Sequence, residues 1–384
     1  MRQNQALKAP DLDAPANGIE RGIAALAHFP YQQRPFCARN WGHPLHSLCS
    51  YPSKLKPGVA HFLVRLFTEP ADRVLDPFAG VGTVPFEACV QGRHGIGGDL
   101  SPFASLVTAA KVAPPAPTTV EDVLDEFSAK IPTIAAWVNL DAVEPEIRTF
   151  FHDDTCREVV AARELLIGTE LGATTGGRLL GAAICHILHG NRPYALSRRS
   201  HGIIPIPPRG DFVYRPLVRS LTEKIERSGL DRLANSFTVG EGYVMDAFSL
   251  DVDDSSIDAI ITSPPFLGTT EFLRQNRVRL WFCGMSYARQ RADKDRFVEH
   301  RRDLDWYGDL LSEWSRVLKP GGRLIMHLGV VRKRDMAKEI RVHAEEAALE
   351  VHAVLYEPTD HLESHGRTDR GATHIHQFLI ATRR

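Results

Sequence analysis

The 384-residue chain lacks an excess of charge of either sign, since 46 Lys and Arg stand against 47 Asp and Glu for a formal net charge of −1. That balance excludes a globally basic protein, the simplest route to nucleic acid, and leaves only local basic segments to consider. No apolar run approaches the roughly 18 residues that a membrane span requires, and Met1–Pro10 has no apolar core of a signal peptide. Cysteine is sparse: the six, Cys37, Cys49, Cys89, Cys156, Cys185 and Cys283, include no C-x-x-C pair and no spacing suited to a zinc site or a disulfide framework. The expectation is a soluble cytoplasmic chain with free thiols, no metal and no membrane partner. Lysine is scarce as well, 10 of the 46 basic residues, a bias that points to a GC-rich coding genome rather than to an activity. Internal repeats and low-complexity tracts are missing. With 43% hydrophobic and 24% charged residues the chain can bury a full core, and its length suits one large α/β domain with an insertion, or two domains.

Residues 1–42 are punctuated by Pro and Gly and read as an arm, ordered only where something covers it. From Lys56 the pattern becomes regular. Arg73–Asp76 reads as a short buried strand, a glycine-bearing loop follows, and Val84–Val90 has helical spacing with Gly92 as its stop. His94–Asp99 reads as a second strand, and Ser101-Pro102 as the N-cap and first residue of a helix through Val112. A β-α-β-α opening signals a doubly wound sheet. The Pro-rich stretch Ala113–Pro117 then breaks the rhythm, and residues 113–235 read as a mostly helical insertion with a basic, Pro-punctuated passage from Asn191 to Ser220. Strands resume at Phe237–Met245, Ile257–Ile261, Arg323–Leu328, Val351–Tyr356 and His374–Ala381.

Two loops carry chemistry. Asp76-Pro77-Phe78-Ala79-Gly80-Val81-Gly82-Thr83 sets two glycines between a strand and a helix, where the backbone must turn sharply and let a ligand approach. Asp99, at the end of the next strand, is placed to accept hydrogen bonds from both hydroxyls of a ribose. Taken alone, the loop also fits an ordinary tight turn; Asp99 at this spacing favours the nucleoside. A full G-x-G-x-x-G is absent and no Lys-Ser/Thr follows the glycines, which weakens the NAD and P-loop readings. In the second loop, Thr262-Ser263-Pro264-Pro265-Phe266, two prolines fix the backbone and remove two amide donors. The hydroxyl of Ser263 and the carbonyl of Pro264 could accept hydrogens from a planar exocyclic amine while Phe266 stacks on the ring that bears it. A rigid Pro turn with a core Phe is the plain alternative.

In this order the loops resemble the S-adenosylmethionine-dependent amino-methyltransferases, and most closely the DNA N4-cytosine members, whose patterns are D-P-F-x-G-x-G-T and later S-P-P-Y. His46–Lys54 is similar to the H-x-Y-P-A-K segment of these enzymes, and Leu318-Lys319-Pro320-Gly321-Gly322 to the turn before their fifth strand. The resemblance covers about 200 residues, 43–112 and 237–384, and departs at Phe266, where Tyr is usual. It implies a Rossmann-like class I methyltransferase sheet with a mostly helical insertion: a catalytic domain of residues 43–112 and 236–384, and a target-recognition region of residues 113–235. It also implies S-adenosylmethionine as cofactor. Asp76, Pro77, Ala79, Gly80, Gly82 and Thr83 would line its methionine and ribose parts, Asp99 would hold the ribose, Tyr51 and Lys54 would close over the carboxylate end, and Asp246 and Ala247 would lie near the adenine amine. Ser263, Pro264, Pro265 and Phe266 would form the base pocket. Methylation at cytosine C5 would need a thiolate, normally in a Pro-Cys dipeptide, and no Pro-Cys occurs here.

The expected partner is double-stranded DNA, with a cognate restriction endonuclease as a possible companion. Asn191–Ser220 holds six arginines against the single acid Asp211, and Arg192, Arg198, Arg199 and Arg209 are the candidate contacts. The core Ser197-Arg198-Arg199-Ser200-His201 also resembles a passage of bacterial DNA methylases. Arg274 and Arg277, after the Pro loop, are candidates for phosphates flanking a displaced base; a solvated charged surface is the plain alternative for each group. His361, His365, His374 and His376 lack the neighbours of a metal site. Ser rather than Asp at position 263 favours cytosine N4 over adenine N6. RNA guanine-N2 or adenine methylation, and a catalytically inactive DNA-binding relative, remain the other readings.

Overall fold

The computed structural model describes residues 18–51, 53–190, 193–200, 208–266, 268, 271–301, 303–358, 363–364, 367–368 and 373–384. Its main sheet contains β1 (Arg73–Asp76), β2 (His94–Asp99), β3 (Glu241–Val244), β4 (Ile257–Thr262), β5 (Leu318–Val331), β6 (Leu349–Pro358) and β7 (Thr373–Arg383), in the order β3-β2-β1-β4-β5-β7-β6. Strands β1 to β5 run parallel, and β7 inserts antiparallel between β5 and β6. The sheet grows one way from β1 through β2 and β3, and the other way through β4 and β5. Ligands of such sheets bind outside the carboxyl ends of the strands at that reversal. Both chemistry-bearing loops leave from there. The doubly wound sheet expected from the sequence is therefore present.

Successive strand side chains point to opposite faces, and the core divides accordingly. Val74, Ala259, Ile261, Ile325 and Phe378 meet α1 (Ile19–Leu26) and α2 (Pro57–Phe67) on one face. Leu75, Ile260, Leu324 and Met326 meet α10 (Tyr307–Val317) and α11 (Met336–Glu346) on the other. Residues 1–17 of the expected arm lie outside the described residues; of the rest, Leu26 and Tyr31 are buried in the first of these clusters, and the Tyr31 hydroxyl donates to Glu357 at 2.6 Å.

After β1 come α3 (Thr83–Val90) and α4 (Pro102–Val112), the latter capped by Ser101, whose hydroxyl accepts from the Ala104 amide at 3.2 Å. Then follow α5 (Pro117–Trp137), α6 (Asp153–Leu166), α7 (Thr175–Ile187) and α8 (Leu217–Glu226), with α9 (Phe272–Phe282) beyond the Pro loop. Phe127, Val159, Ile184 and Leu221 of the inserted helices share one apolar cluster with Phe86, Phe103 and Trp281, so the insertion packs directly on α3, α4 and α9. Several strand ends differ from the sequence expectation by a few residues, and two starts differ by more. β3 begins at Glu241 rather than Phe237, and β5 begins at Leu318, so that Leu318–Gly322 is an irregular start to the strand and not a separate turn. Pairing with β4 shifts register between Leu318 and Arg323, and Gly321 at φ +75° absorbs the extra length.

Candidate active site

The β1–α3 loop takes its shape from two glycines. Gly80 has φ +53° and Gly82 φ +67°, in the left-handed region that Cβ-bearing residues avoid. A Cβ on Gly80 would lie 3.2 Å from the ring of Tyr51, and one on Gly82 would lie 2.8 Å from the Thr108 hydroxyl of α4. At the end of β2, Asp99 remains partly exposed; its two oxygens accept the Gly80 amide at 3.0 Å and the Ser101 amide at 2.9 Å. Each oxygen keeps a further lone pair for a ligand, and burial pushes the carboxyl up to about 7. The Thr83 hydroxyl, buried at the start of α3, has no hydrogen-bond partner among the described residues. An amide-lined carboxylate, a cradle that a Cβ would fill and an orphaned hydroxyl at a helix N-terminus suit a nucleoside joined to an amino acid.

The Pro loop adjoins this one. Thr262, the last residue of β4, donates its hydroxyl to Asp76 Oδ1 at 2.6 Å, and Asp76 also accepts the Phe78 amide at 3.1 Å. Burial pushes the Asp76 carboxyl up to about 7 as well. Ser263, Pro265 and Phe266 are half-buried and Pro264 is buried. Ser263 Oγ lies 3.0 Å from Nδ1 of His327 on β5, and the Phe266 ring centre is 5.5 Å from that imidazole. Asp246 follows β3, where the Met245 amide donates to the Asp99 carbonyl at 3.1 Å; its carboxylate accepts the Phe248 amide at 3.1 Å, and buried Ala247 gives its carbonyl to Trp314.

Over the glycine loop lies the segment His46–Lys54. Tyr51 stacks on Phe103 at 6.2 Å and meets Phe272 at 5.7 Å. Lys54 donates to the His46 carbonyl at 2.7 Å and so ties the two ends of the cover segment together. Three further residues hold this region through contacts that have no signature in the sequence. Lys224 of α8 donates to the Ser47 carbonyl at 2.8 Å. Arg279 of α9, only 2% exposed, donates to the Ser50 carbonyl at 3.0 Å, to the Ser50 hydroxyl at 2.7 Å and to the Cys185 carbonyl at 3.0 Å. Glu299 accepts the Phe272 and Leu273 amides and so caps α9 just after the Pro loop; burial pushes its carboxyl up to about 7.

The candidate DNA-contacting arginines separate. Arg199 and Arg209 are exposed. Arg198 lies over Phe212 at 4.1 Å and donates to the Gly210 carbonyl at 2.7 Å. Arg274 is exposed and paired with Glu271 at 2.9 Å. Arg277 is half-buried, with its guanidinium 5.8 Å from the Phe150 ring centre and 5.9 Å from that of Tyr287, which ties α9 to the insertion. Arg192 lies outside the described residues, as do His361 and His365. Among the described residues no helix is long and apolar enough to cross a membrane, and no group of three or more His, Cys, Asp or Glu could hold a metal ion.

Residues 46–144 match the family model described as "UPF0020: RMKL-like, methyltransferase domain". The matched stretch, which the model describes as a methyltransferase domain, contains the cover segment, the glycine loop and Asp99. Among solved structures the chain is similar to TrmN from Thermus thermophilus, at 14% identity over 88% of this chain and 52% of that one, with a TM-score of 0.34. The chain thus spans about half the length of TrmN. It is also similar to a SAM-dependent methyltransferase from Methanosarcina mazei (14% identity, 87% of this chain and 98% of that one, TM-score 0.32). A third is geranyl diphosphate C-methyltransferase from Streptomyces coelicolor A3(2) (11% identity, 100% and 90%, TM-score 0.35). At this distance the three carry no argument about the substrate. None of the curated proteins compared with the chain matches it.

Proposed function

We propose that this chain is a DNA methyltransferase that moves a methyl group from S-adenosylmethionine to the N4 amine of a cytosine turned out of the duplex. The observation that carries the reading is the 2.6 Å hydrogen bond from Thr262 to Asp76, which sets Ser263–Phe266 beside the glycine loop on neighbouring strands. A base on the Pro loop and a nucleoside cofactor against Asp99 would then face one another.

The bound cofactor supplies an already activated sulfonium methyl, so the chain has to supply alignment and charge stabilisation rather than a nucleophile. Asp99 accepts the ribose hydroxyls, and Thr83 Oγ offers a hydrogen bond to the amino-acid end. The Ser263 hydroxyl oxygen and the Pro264 carbonyl accept the amine hydrogens. That draws the nitrogen lone pair out of conjugation and stabilises the positive charge that grows on nitrogen. Phe266 provides a flat apolar wall for the ring. Extrusion of a base costs a few kcal/mol, which contacts to the flanking phosphates must offset. Exposed Arg199 and Arg209 support that role for the insertion.

Expression in a methylation-deficient host, digestion of the DNA to nucleosides and mass spectrometry test the reading. N4-methylcytosine that disappears with Ser263→Ala is the expected result. N6-methyladenine would refute the choice of base, and unmodified DNA beside methylated RNA would refute the choice of nucleic acid.

A further inference from the structure

We propose that His327 is a positioning residue for methyl transfer, taking the Ser263 hydroxyl hydrogen on Nδ1 so that both lone pairs of the serine oxygen face the incoming amine. The inference rests on the base-amine reading above and adds to it a residue outside the S-P-P-F loop.

The contact between Ser263 Oγ and His327 Nδ1 is 3.0 Å. His327 extends β5 beyond the Met326 that pairs with Thr262, so the imidazole stands beside the residue that opens the Pro loop. It is 7% exposed and walled by Phe266 at 5.5 Å, Phe378 at 5.1 Å and His376 at 4.7 Å. Its titratable neighbour on β7 is His376; behind that, Glu357 on β6 lies 3.8 Å from His376 Nδ1 and accepts the Tyr31 hydroxyl. Burial, followed by the adjacent His376, holds the His327 imidazole well below its ordinary pKa. The ring is therefore neutral near pH 7 and has one bare nitrogen.

A serine hydroxyl has one hydrogen and two lone pairs. An exocyclic amine arrives with hydrogens to donate, so a serine that aimed its own hydrogen at the site would oppose it. Two prolines follow Ser263, and neither their rings nor the aromatic wall offers an acceptor. A bare Nδ1 at 3.0 Å does. The tautomer required is the one with the hydrogen on Nε2.

Two measurements test this on the full chain. Long-range nitrogen–proton NMR of 15N-histidine-labelled protein should show a bare Nδ1 for His327, with a resonance that moves in Ser263→Ala. In kinetics, His327→Leu should lower kcat about 100-fold with cofactor dissociation unchanged, the usual scale for a misplaced reacting group. His327→Asn, whose carbonyl can take the same hydrogen, should recover at least about tenfold of that loss, and Ser263→Ala/His327→Leu should be no slower than Ser263→Ala alone. A protonated Nδ1 alongside normal base methylation would overturn the role alone, as would wild-type kcat in His327→Leu or additive losses in the double variant. A wild type that methylates no base amine would overturn the substrate reading, and the role with it, even where Nδ1 is bare.

Discussion

Cofactor affinity should carry the titration of Asp99. Burial places that carboxyl at about 7, with its oxygens against the Gly80 and Ser101 amides. Ribose hydroxyls donate, so the ionised form binds, and protonation must be reversed before binding on the acid side. Affinity should be full near about pH 8 and fall about tenfold per pH unit well below 7, a loss of about 30-fold by about pH 5.5, or ~2 kcal/mol. Stability runs the opposite way. Because the folded pKa lies above the unfolded value of 3.8, the proton contributes stability that is full below that value and is lost as pH rises to about 7. Calorimetric titration with S-adenosylhomocysteine across this range, on wild type and Asp99→Asn, separates ligand titration from site titration. In Asp99→Asn the step should vanish and binding should be weak throughout, because the new NH2 faces one of the two backbone donors. Asp76→Asn should keep the step, since Asp76 is turned to Thr262 and Phe78. A flat wild-type profile, or the same step in Asp99→Asn, would refute the assignment of the ribose to this carboxylate.

Gly82→Ala should cost ~2–4 kcal/mol in urea unfolding, combining roughly 1–2 kcal/mol for a left-handed residue with a 2.8 Å approach to the Thr108 hydroxyl and a 3.0 Å approach to its Cα; wild-type stability would show that the loop relaxes. Arg279→Met keeps the bulk but strips hydrogen bonds from Ser50 and Cys185, and should cost about 3 kcal/mol and speed hydrogen exchange across residues 46–54. Arg199→Ala and Arg209→Ala should each reduce the salt dependence of DNA binding by about one released counterion, measured by fluorescence anisotropy. Arg277→Ala should instead lower stability with little change in that slope, because its guanidinium faces Phe150 and Tyr287.

Where local pattern and local structure share a cause, the sequence was legible. Arg73–Asp76 and Ile257–Ile261 read as strands because apolar residues end at turn residues, and the Asp76-to-Thr83 loop reads as a ligand turn because φ above zero favours glycine. Contacts across the sheet left no such trace. His327 sits in a run of strand residues and gains meaning only because β5 lies next to β4, a neighbour about 64 positions away in Ser263. Arg274 and Arg277 read alike as cations of one helix. The faces of α9 decide between them: Arg274 is exposed and paired with Glu271, and Arg277 is half-buried near the rings of Phe150 and Tyr287. Lys54 shows a further local tie that the sequence does not carry: its ammonium donates to the His46 carbonyl at 2.7 Å, eight residues back in the same segment.

The hydrogen bonds of the cover segment join parts that the sequence separates. Ser47 is held from α8 in the insertion, Ser50 from α9 after the Pro loop, and Tyr51 rests on Phe103 of α4 and Phe272 of α9. The start of α9 is in turn fixed by Glu299. A displacement of α9 therefore reaches both the end of the Pro loop and the ring that packs over Gly80. An interaction that favours one setting of α9 favours one setting of both loops. By thermodynamic linkage, a nucleic acid that prefers the cofactor-bound setting must raise cofactor affinity by the same factor by which the cofactor raises its own. Phe150 against Arg277 extends this connection into the insertion, so the region that would read the nucleic acid and the wall of the cofactor cradle form one packed unit.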